Sequence, residues 1–86
     1  MKYEVTFTNS AQKDLDKLPK TVLKKIAPVI DSLALNPRPA GCKKLQGSYE
    51  NLWRARAGDY RIIYMIEDEI RIIEVRRVRH RKDVYK

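Results

Sequence analysis

Arginines crowd the second half of this sequence at positions where they could bind an anion. Eight of the nine Arg follow residue 50, whereas seven of the ten Lys lie in the first 43 residues. Side chains alternate along a strand, so Arg54 and Arg56 share one face, and Arg61 begins the next strand just across a Gly58-Asp59 turn. Like charges this close destabilise a sheet unless an anion neutralises them, and guanidinium groups grip phosphate oxygens in bidentate pairs. The spacing therefore predicts a bound polyanion.

The alternative is that these three arginines are ordinary exposed sheet residues with acidic partners. Asp59 and Glu50 are the candidate partners, and they could neutralise one or two of the arginines but not all of them. The anion-binding interpretation is therefore the better one.

A second basic segment follows the last predicted strand and is itself followed by Tyr85. Its members are Arg76, Arg77, Arg79, His80, Arg81 and Lys82. If the last strand pairs with the strand that begins at Tyr60, this segment returns beside the first arginine group. Alternation would point Arg76 and Arg77 to opposite faces, so the whole segment cannot serve one site.

Composition limits the class of protein. Eighty-six residues form one domain, residues 1–86, and the single Cys42 excludes an intramolecular disulfide. No Cys/His set has zinc-site spacing, one His cannot form a two-His metal site, and the acidic run at residues 67–69 is expected to face water, so no metal or cofactor is expected. The net charge of +8 favours a polyanionic partner such as nucleic acid, or an acidic protein segment.

The sequence carries no pattern of a secreted or membrane protein. Met1-Lys2-Tyr3 leads straight into an alternating strand pattern instead of the apolar stretch of a signal peptide. No apolar run approaches the ~20 residues of a membrane span. We therefore expect a cytoplasmic protein that does not bind membranes.

Hydrophobic periodicity predicts the elements that position the arginines. Residues 2–7 alternate as a half-buried strand, and a helix capped by Thr8 or Asn9, with Gln12 in a capping-box position after Asn9, runs to Pro19. A second helix starts near residue 20 and closes before Asn36-Pro37, with Pro28 expected to kink or split it. Residues 37–50 read as a loop in which 43–45 could form a short edge strand.

Three strands complete the chain, at residues 52–57, 60–66 and 70–78, with short connections that force an antiparallel meander. The tail from His80 onward could be a short helix or a loose end. The two helices are antiparallel and must cover one face of the sheet. The predicted fold class is α+β, with two N-terminal helices packed on a small, mainly antiparallel sheet in the order β-α-α-β-β-β.

An ordered set of motifs resembles the RelE family of toxins over nearly the whole chain. Its pieces are Lys44-Leu45-x-Gly47, then Trp53-Arg54-Ala55-Arg56-x-Gly58-Asp59-Tyr60-Arg61-x-x-Tyr64, and finally His80-Arg81-Lys82-Asp83-Val84-Tyr85. Phe7-Thr8 before Ala11 and the helix end at Leu33-x-x-Asn36-Pro37 also fit. One departure is Arg79, which stands where many members have Gly.

The resemblance implies a microbial-RNase-like fold and a toxin that cleaves messenger RNA in the ribosomal A site. It also implies a RelB-like antitoxin, encoded beside the toxin, that holds it inactive. The catalytic candidates that it implies are Arg54, Arg56, Arg61, His80, Arg81 and Tyr85. The further basic residues, taken as RNA-binding candidates, are Lys43, Lys44, Arg77, Arg79 and Lys82.

Elementary chemistry narrows these roles. Metal-free RNA cleavage needs a base for the 2′-hydroxyl proton, positive charge for the phosphorane and an acid for the leaving 5′-oxygen. One histidine cannot fill both proton roles, which leaves Tyr85 or His80 as the base. Neighbouring guanidinium groups favour a phenolate and would lower the pKa of a tyrosine below its usual value near ~10. Arginine suits an electrostatic role better than that of an acid.

Two other functions compete with the nuclease. The same fold could belong to a ParE-like toxin that poisons DNA gyrase by binding it, although such a protein has no need for a tyrosine beside clustered arginines. A plain nucleic-acid-binding module is supported only by the charge, because no recognition helix is visible.

Overall fold

The computed structural model describes residues 2–46 and 51–84. The elements, in chain order, are β1 (Glu4–Phe7), α1 (Asn9–Asp16), α2 (Lys20–Leu33), β2 (Lys43–Lys44), β3 (Leu52–Ala57), β4 (Tyr60–Glu67), β5 (Ile72–His80) and α3 (Arg81–Val84). The predicted α+β class and its order of elements are confirmed. The edge strand is present as β2, and the C-terminal segment begins as the short helix α3.

The strands form one sheet in the order β1-β5-β4-β3-β2, in which only the β1–β5 pair is parallel among the described residues. A two-residue turn joins β3 to β4, and Gly58 in it has a φ of 60°, which glycine adopts at little cost. Strand β1 pairs only with Ile72 to Val75, so the C-terminal end of β5 runs on beyond it.

The apolar face of the sheet packs against α1 and α2, as the amphipathic pattern predicts. The helices contribute Ala11, Ile26, Ile30 and Leu33, and the strands contribute Ala55, Ala57, Ile62, Tyr64, Ile66, Ile73, Val75 and Val78. Each large aliphatic side chain buried in this way stabilises the fold by about 1.5–3 kcal/mol before other costs. The residues that alternate with them, including Arg54, Arg56, Arg61 and Arg79, therefore lie on the opposite face of the sheet.

Thr8, and not Asn9, caps α1. Its Oγ1 accepts a hydrogen bond from the Ala11 N–H at 3.1 Å and lies 3.0 Å from the Arg76 carbonyl oxygen, to which its hydroxyl donates. The Asn9–Gln12 capping box is thus wrong, because the hydroxyl one residue earlier satisfies the helix N-terminus and ties it to β5 at the same time.

Helix α2 continues through Pro28 as one helix, so the proline does not split it. Pro28 and Lys24 both lie on the exposed side of α2, where water can bond to the Lys24 carbonyl that lost its amide partner. None of the helices within residues 2–46 and 51–84 is long and apolar enough to cross a membrane.

Strand β5 differs from its prediction in both position and regularity. It spans residues 72–80 instead of 70–78, because the turn after β4 extends to Arg71, which adopts a φ of 55°. The register also shifts: Ile63 pairs with Arg77 and Tyr64 with Val75, which leaves Arg76 as the extra residue of a β-bulge. The expected alternation of Arg76 and Arg77 is therefore wrong, since the bulge interrupts the period of two.

Candidate phosphate-binding site

Three arginines lie directly opposite one another across three adjacent strands. Arg56 of β3 pairs with Arg61 of β4, and Arg61 pairs with Arg79 of β5. Residues paired in this way point to the same face with Cβ atoms about 4.5–5.5 Å apart. We call Arg56, Arg61 and Arg79 the arginine row; Arg79 joins the group that the sequence predicted only as Arg54, Arg56 and Arg61.

Two further cations, Lys43 and Arg54, lie beside the arginine row. Lys43 of β2 pairs with Arg54, and Arg54 pairs with Ile63. Gly41, Lys43, Arg54, Arg56 and Arg61 line a shallow pocket of about 140 Å³. Lys44 pairs instead with Trp53, so its register places it on the other face from Lys43. The pocket is therefore walled by cations from three strands and by the loop before β2.

Arg61 is the buried member of the arginine row, with 6% of its surface exposed. Its Nη1 donates hydrogen bonds to the carbonyl oxygens of Gly58 and Tyr60, each at 3.0 Å. These bonds tie the guanidinium to the β3–β4 turn. A cation that is fixed before a ligand arrives needs little reorganisation to stabilise developing negative charge.

No carboxylate of the described residues forms an ion pair with the arginine row. Within residues 2–46 and 51–84, no carboxylate lies within 4.0 Å of a guanidinium nitrogen of Arg56, Arg61 or Arg79. Asp59, which the sequence offered as a partner, lies 3.9 Å from Arg81 through its Oδ1, and Glu50 is outside the described residues. Like charges at directly opposite positions are destabilising, so binding of an anion stabilises this face.

Arg77 is held in a different way, by Asp14 of α1. Its Nε and Nη2 donate to the two carboxylate oxygens at 2.9 and 3.3 Å, and the Val78 N–H donates to the same carboxylate at 3.0 Å. Burial raises the pKa of Asp14, but these hydrogen bonds outweigh it and the net pKa is lowered, while the pKa of Arg77 is raised. Arg77, predicted to bind RNA, therefore joins α1 to the free edge of β5.

Nothing in the sequence indicates this role of Asp14, which resembles any other polar residue on an amphipathic helix. The role depends on the fold, in which β5 extends past the end of β1 and Asp14 of α1 lies beside it.

His80 lies on the other face of the sheet from Arg54, Arg56 and Arg61. It pairs with Tyr60, and the two rings meet edge to face with centroids 5.3 Å apart on the side that carries the helices. Its Nδ1 accepts a hydrogen bond from the Lys82 N–H at 3.2 Å. The structure therefore does not bring His80 together with Arg54, Arg56 and Arg61.

The last candidates lie at the start of α3 and beyond it. The Arg81 N–H donates to the Asp59 carbonyl at 2.7 Å, which fixes the start of α3 against the β3–β4 turn. The Arg81 and Lys82 side chains are exposed, and Tyr85 lies outside the described residues. In the described part of the chain no three His, Cys, Asp or Glu side chains converge as a metal site would require.

Comparisons with known proteins match this chain along almost its full length. A family model described as "ParE toxin of type II toxin-antitoxin system, parDE" matches residues 5–85. Toxin RelG of Mycobacterium tuberculosis is 37% identical over 87 residues, which cover 100% of this chain and 99% of RelG. Putative toxin RelE1 of Methanocaldococcus jannaschii is also 37% identical, over 89 residues that cover 100% of this chain and 98% of that protein.

Solved structures agree with the sequence relatives. The toxin-antitoxin complex RelBE2 of M. tuberculosis contains a chain that matches with a TM-score of 0.82 and 33% identity, covering 93% of this chain and 99% of that one. The archaeal RelE-RelB complex of Pyrococcus horikoshii matches with a TM-score of 0.81 and 32% identity, covering 94% and 97%. The chain belongs to the RelE/ParE family of toxins from type II toxin–antitoxin systems.

Proposed function

We propose that this toxin is an endoribonuclease that cuts messenger RNA in the A site of the ribosome and thereby stops translation. The observation that carries the proposal is the arginine row, three cations in register on one sheet face without a carboxylate partner among the described residues. A phosphodiester is the anion whose geometry several guanidinium groups can grip together.

The reaction needs no metal. The 2′-oxygen attacks the adjacent phosphorus while a base accepts its proton, a cyclic phosphate forms, and the bond to the 5′-oxygen breaks as that oxygen gains a proton. Arg61 stabilises the negative charge that accumulates on the phosphorane, because its guanidinium is already fixed by the Gly58 and Tyr60 carbonyls. Arg54 and Arg56, both on β3, hold the RNA backbone beside this charge, with Lys43 at the pocket wall.

Tyr85 is the base in this proposal. His80, the other candidate, pairs with Tyr60 on the far side of the sheet from Arg61, which argues against its reaching the same 2′-hydroxyl. The role of Tyr85 remains a prediction from the family motif. In this proposal neighbouring guanidinium groups favour the phenolate, so that a larger fraction of the tyrosine is in the form that can accept a proton at neutral pH.

The ribosome positions the substrate, which this site does little to position by itself. An arrangement that is almost entirely electrostatic offers little positioning of its own, and correct placement of the reacting atoms is a large part of catalysis. A message held in the A site arrives with its backbone already oriented. We therefore expect cleavage of message on programmed ribosomes and little cleavage of the same RNA when it is free.

The partner in this proposal is a RelB-like antitoxin, since related toxins were solved in complexes named RelE-RelB and RelBE2. Its inhibitory segment should carry acidic side chains that cover the arginine row and an apolar side that covers the sheet edge. Binding should weaken as salt rises. An affinity unchanged between low and high ionic strength would show that charge complementarity is not its main contributor.

The ParE name of the matching family model favours a second candidate, a toxin that poisons DNA gyrase. Expression of the toxin alone in cells distinguishes the two functions. A ribosome-dependent nuclease lowers the incorporation of labelled amino acids before DNA synthesis falls, and primer extension then shows cuts within the message. DNA breaks and trapped gyrase that precede any loss of translation would contradict the nuclease proposal.

A further inference from the structure

A second pocket lies between α1 and the C-terminal end of β5, whereas the pocket that Arg61 lines is formed by β2, β3, β4 and the loop before β2. It measures about 300 Å³, and we call it the β5-end pocket. Its lining residues used below are Asp14, Lys17, Leu18, Tyr60, Arg79 and His80. The cleavage chemistry proposed above uses neither Lys17 nor the Tyr60–His80 ring pair.

The β5-end pocket carries surplus positive charge. Asp14 is its acidic residue, and that carboxylate already accepts hydrogen bonds from Arg77 and from the Val78 N–H. The charges of Asp14 and Arg77 therefore offset each other. Lys17 and Arg79 remain as cations around the same space, so the pocket favours an anion.

The β5-end pocket also presents an aromatic pair and a hydrogen-bond donor. Tyr60 and His80 meet at an interplanar angle of 84°, with Leu18 as an apolar neighbour in the lining. Because the His80 Nδ1 accepts from the Lys82 N–H, neutral His80 carries its proton on Nε2, where it can donate to a ligand. Cations next to an aromatic surface form the combination that binds the phosphate and the base of one nucleotide.

Arg79 links the β5-end pocket to the arginine row. It pairs with Arg61 in the arginine row, and it also lines the β5-end pocket. Arg79 is near the C-terminal end of β5, which extends beyond β1 and beside which no strand of the described residues adds a further edge. An RNA strand gripped by the arginine row could therefore pass around this end and place a neighbouring nucleotide beside Tyr60 and His80.

We propose that the β5-end pocket is a second nucleotide subsite, which binds a phosphate and base of the same RNA strand next to the nucleotide held by the arginine row. The inference rests on the proposed function, since it assumes an RNA substrate. An acidic protein segment would match the cations but would leave the ring pair and the Nε2 donor without a role, so RNA is the better occupant.

The test uses free RNA, so it does not depend on cleavage. Uncleavable 2′-O-methyl oligonucleotides of three and six nucleotides, carrying a fluorophore, are titrated with the parent toxin, Lys17→Ala and Lys24→Ala at low salt. Lys17 is the exposed residue that follows the last turn of α1, and Lys24 is exposed on α2, so the two variants lose the same charge and both should fold. Fluorescence anisotropy gives each affinity and its dependence on salt.

We expect Lys17→Ala to weaken binding of the six-nucleotide RNA by about 3–10-fold and to reduce the slope of log affinity against log salt by about 0.7, the value for one lost phosphate contact on a single strand. Binding of the three-nucleotide RNA should change little, because that RNA is too short to fill both sites. Lys24→Ala should match the parent with both RNAs.

Several results would overturn the subsite. They are equal losses for the two lysine variants, an equal loss at both RNA lengths, or an absence of binding by the parent. A ten-residue polyglutamate probe tests the other occupant: if Lys17→Ala weakens its binding but not that of the longer RNA, the pocket belongs to a protein partner. Failure to cleave message on ribosomes would instead contradict the proposed function and leave the binding result standing.

Discussion

Two groups of arginines in this toxin, the pair Arg38 and Arg77 and the arginine row, lie in opposite electrostatic surroundings. Arg38 and Arg77 are each held by one carboxylate, Arg38 by Asp68 at 2.8 and 3.3 Å and Arg77 by Asp14 at 2.9 and 3.3 Å. Arg38 also lies 5.0 Å above the centre of the Trp53 ring. The arginine row has no such partners among the described residues. The arginines of the first group therefore join elements of the fold, whereas those of the arginine row keep a positive charge that no carboxylate of the described residues pairs with.

The difference separates stability from function in this small chain. Each bidentate pair joins segments far apart in sequence: Arg38 connects the loop before β2 to the β4–β5 turn, and Arg77 connects β5 to α1. The arginine row destabilises the fold, because directly opposed cations repel one another until an anion binds. Substitutions in the two groups should therefore change different measurements.

Tyr85→Phe should give the largest effect, because the arginine row supplies charge but no proton acceptor. Loss of the hydroxyl should lower single-turnover cleavage on programmed ribosomes by roughly 10²–10⁴, the usual contribution of a general base. Ribosome binding and the free energy of unfolding should stay near the parent values. If Tyr85→Phe cleaves as fast as the parent, the tyrosine is not the base and His80 must be reconsidered.

Asp14→Asn should weaken the fold by about 1–3 kcal/mol, the cost of removing the charged partner of a half-buried hydrogen-bonded group. The pKa of Asp14 is lowered in the fold, so its charged form stabilises the protein at neutral pH and this contribution is lost as pH falls through the folded value, below the ordinary 3.8. Urea unfolding at pH 7 and near pH 3 checks both statements. A difference from the parent that stays constant over this range would contradict the assigned ion pair.

Arg56→Gln should have the smallest effect on stability and the opposite sign. Arg56 is exposed and directly opposite Arg61, so removing its charge relieves repulsion and should raise the free energy of unfolding by about 0.2–1 kcal/mol. Lys24→Gln, which removes an exposed helix charge, should leave stability unchanged. A loss of stability in Arg56→Gln would mean that the arginine row is neutralised within the fold.

Hydrophobic periodicity predicted most of the fold, because burial on one side of each element determines which residues alternate. The apolar stripe of α2 and the alternation of Ile62 and Ile66 mark faces that the structure buries. The convergence of Arg54, Arg56 and Arg61 follows from the same period of two and a short turn. These predictions needed only local geometry and the short connection between β3 and β4.

What escaped prediction depends on contacts between segments distant in sequence. The bulge at Arg76 shifts the register of β5, and a single extra residue leaves no pattern in the sequence. The register then decides that Arg79 faces Arg61 while His80 faces Tyr60. The Asp14–Arg77 pair is equally invisible, since it forms only because α1 follows β1 along the edge of β5.

The most direct test of the central claim compares two arginine variants at saturating toxin on programmed ribosomes. Arg61→Ala removes the fixed cation of the arginine row, and Arg71→Ala removes an exposed arginine of the β4–β5 turn with the same change in charge. Single-turnover cleavage should fall by about 10²–10³ in Arg61→Ala, as for one preorganised donor, and stay near the parent rate in Arg71→Ala. Equal rates for the two variants would contradict the assignment of the arginine row to phosphate chemistry.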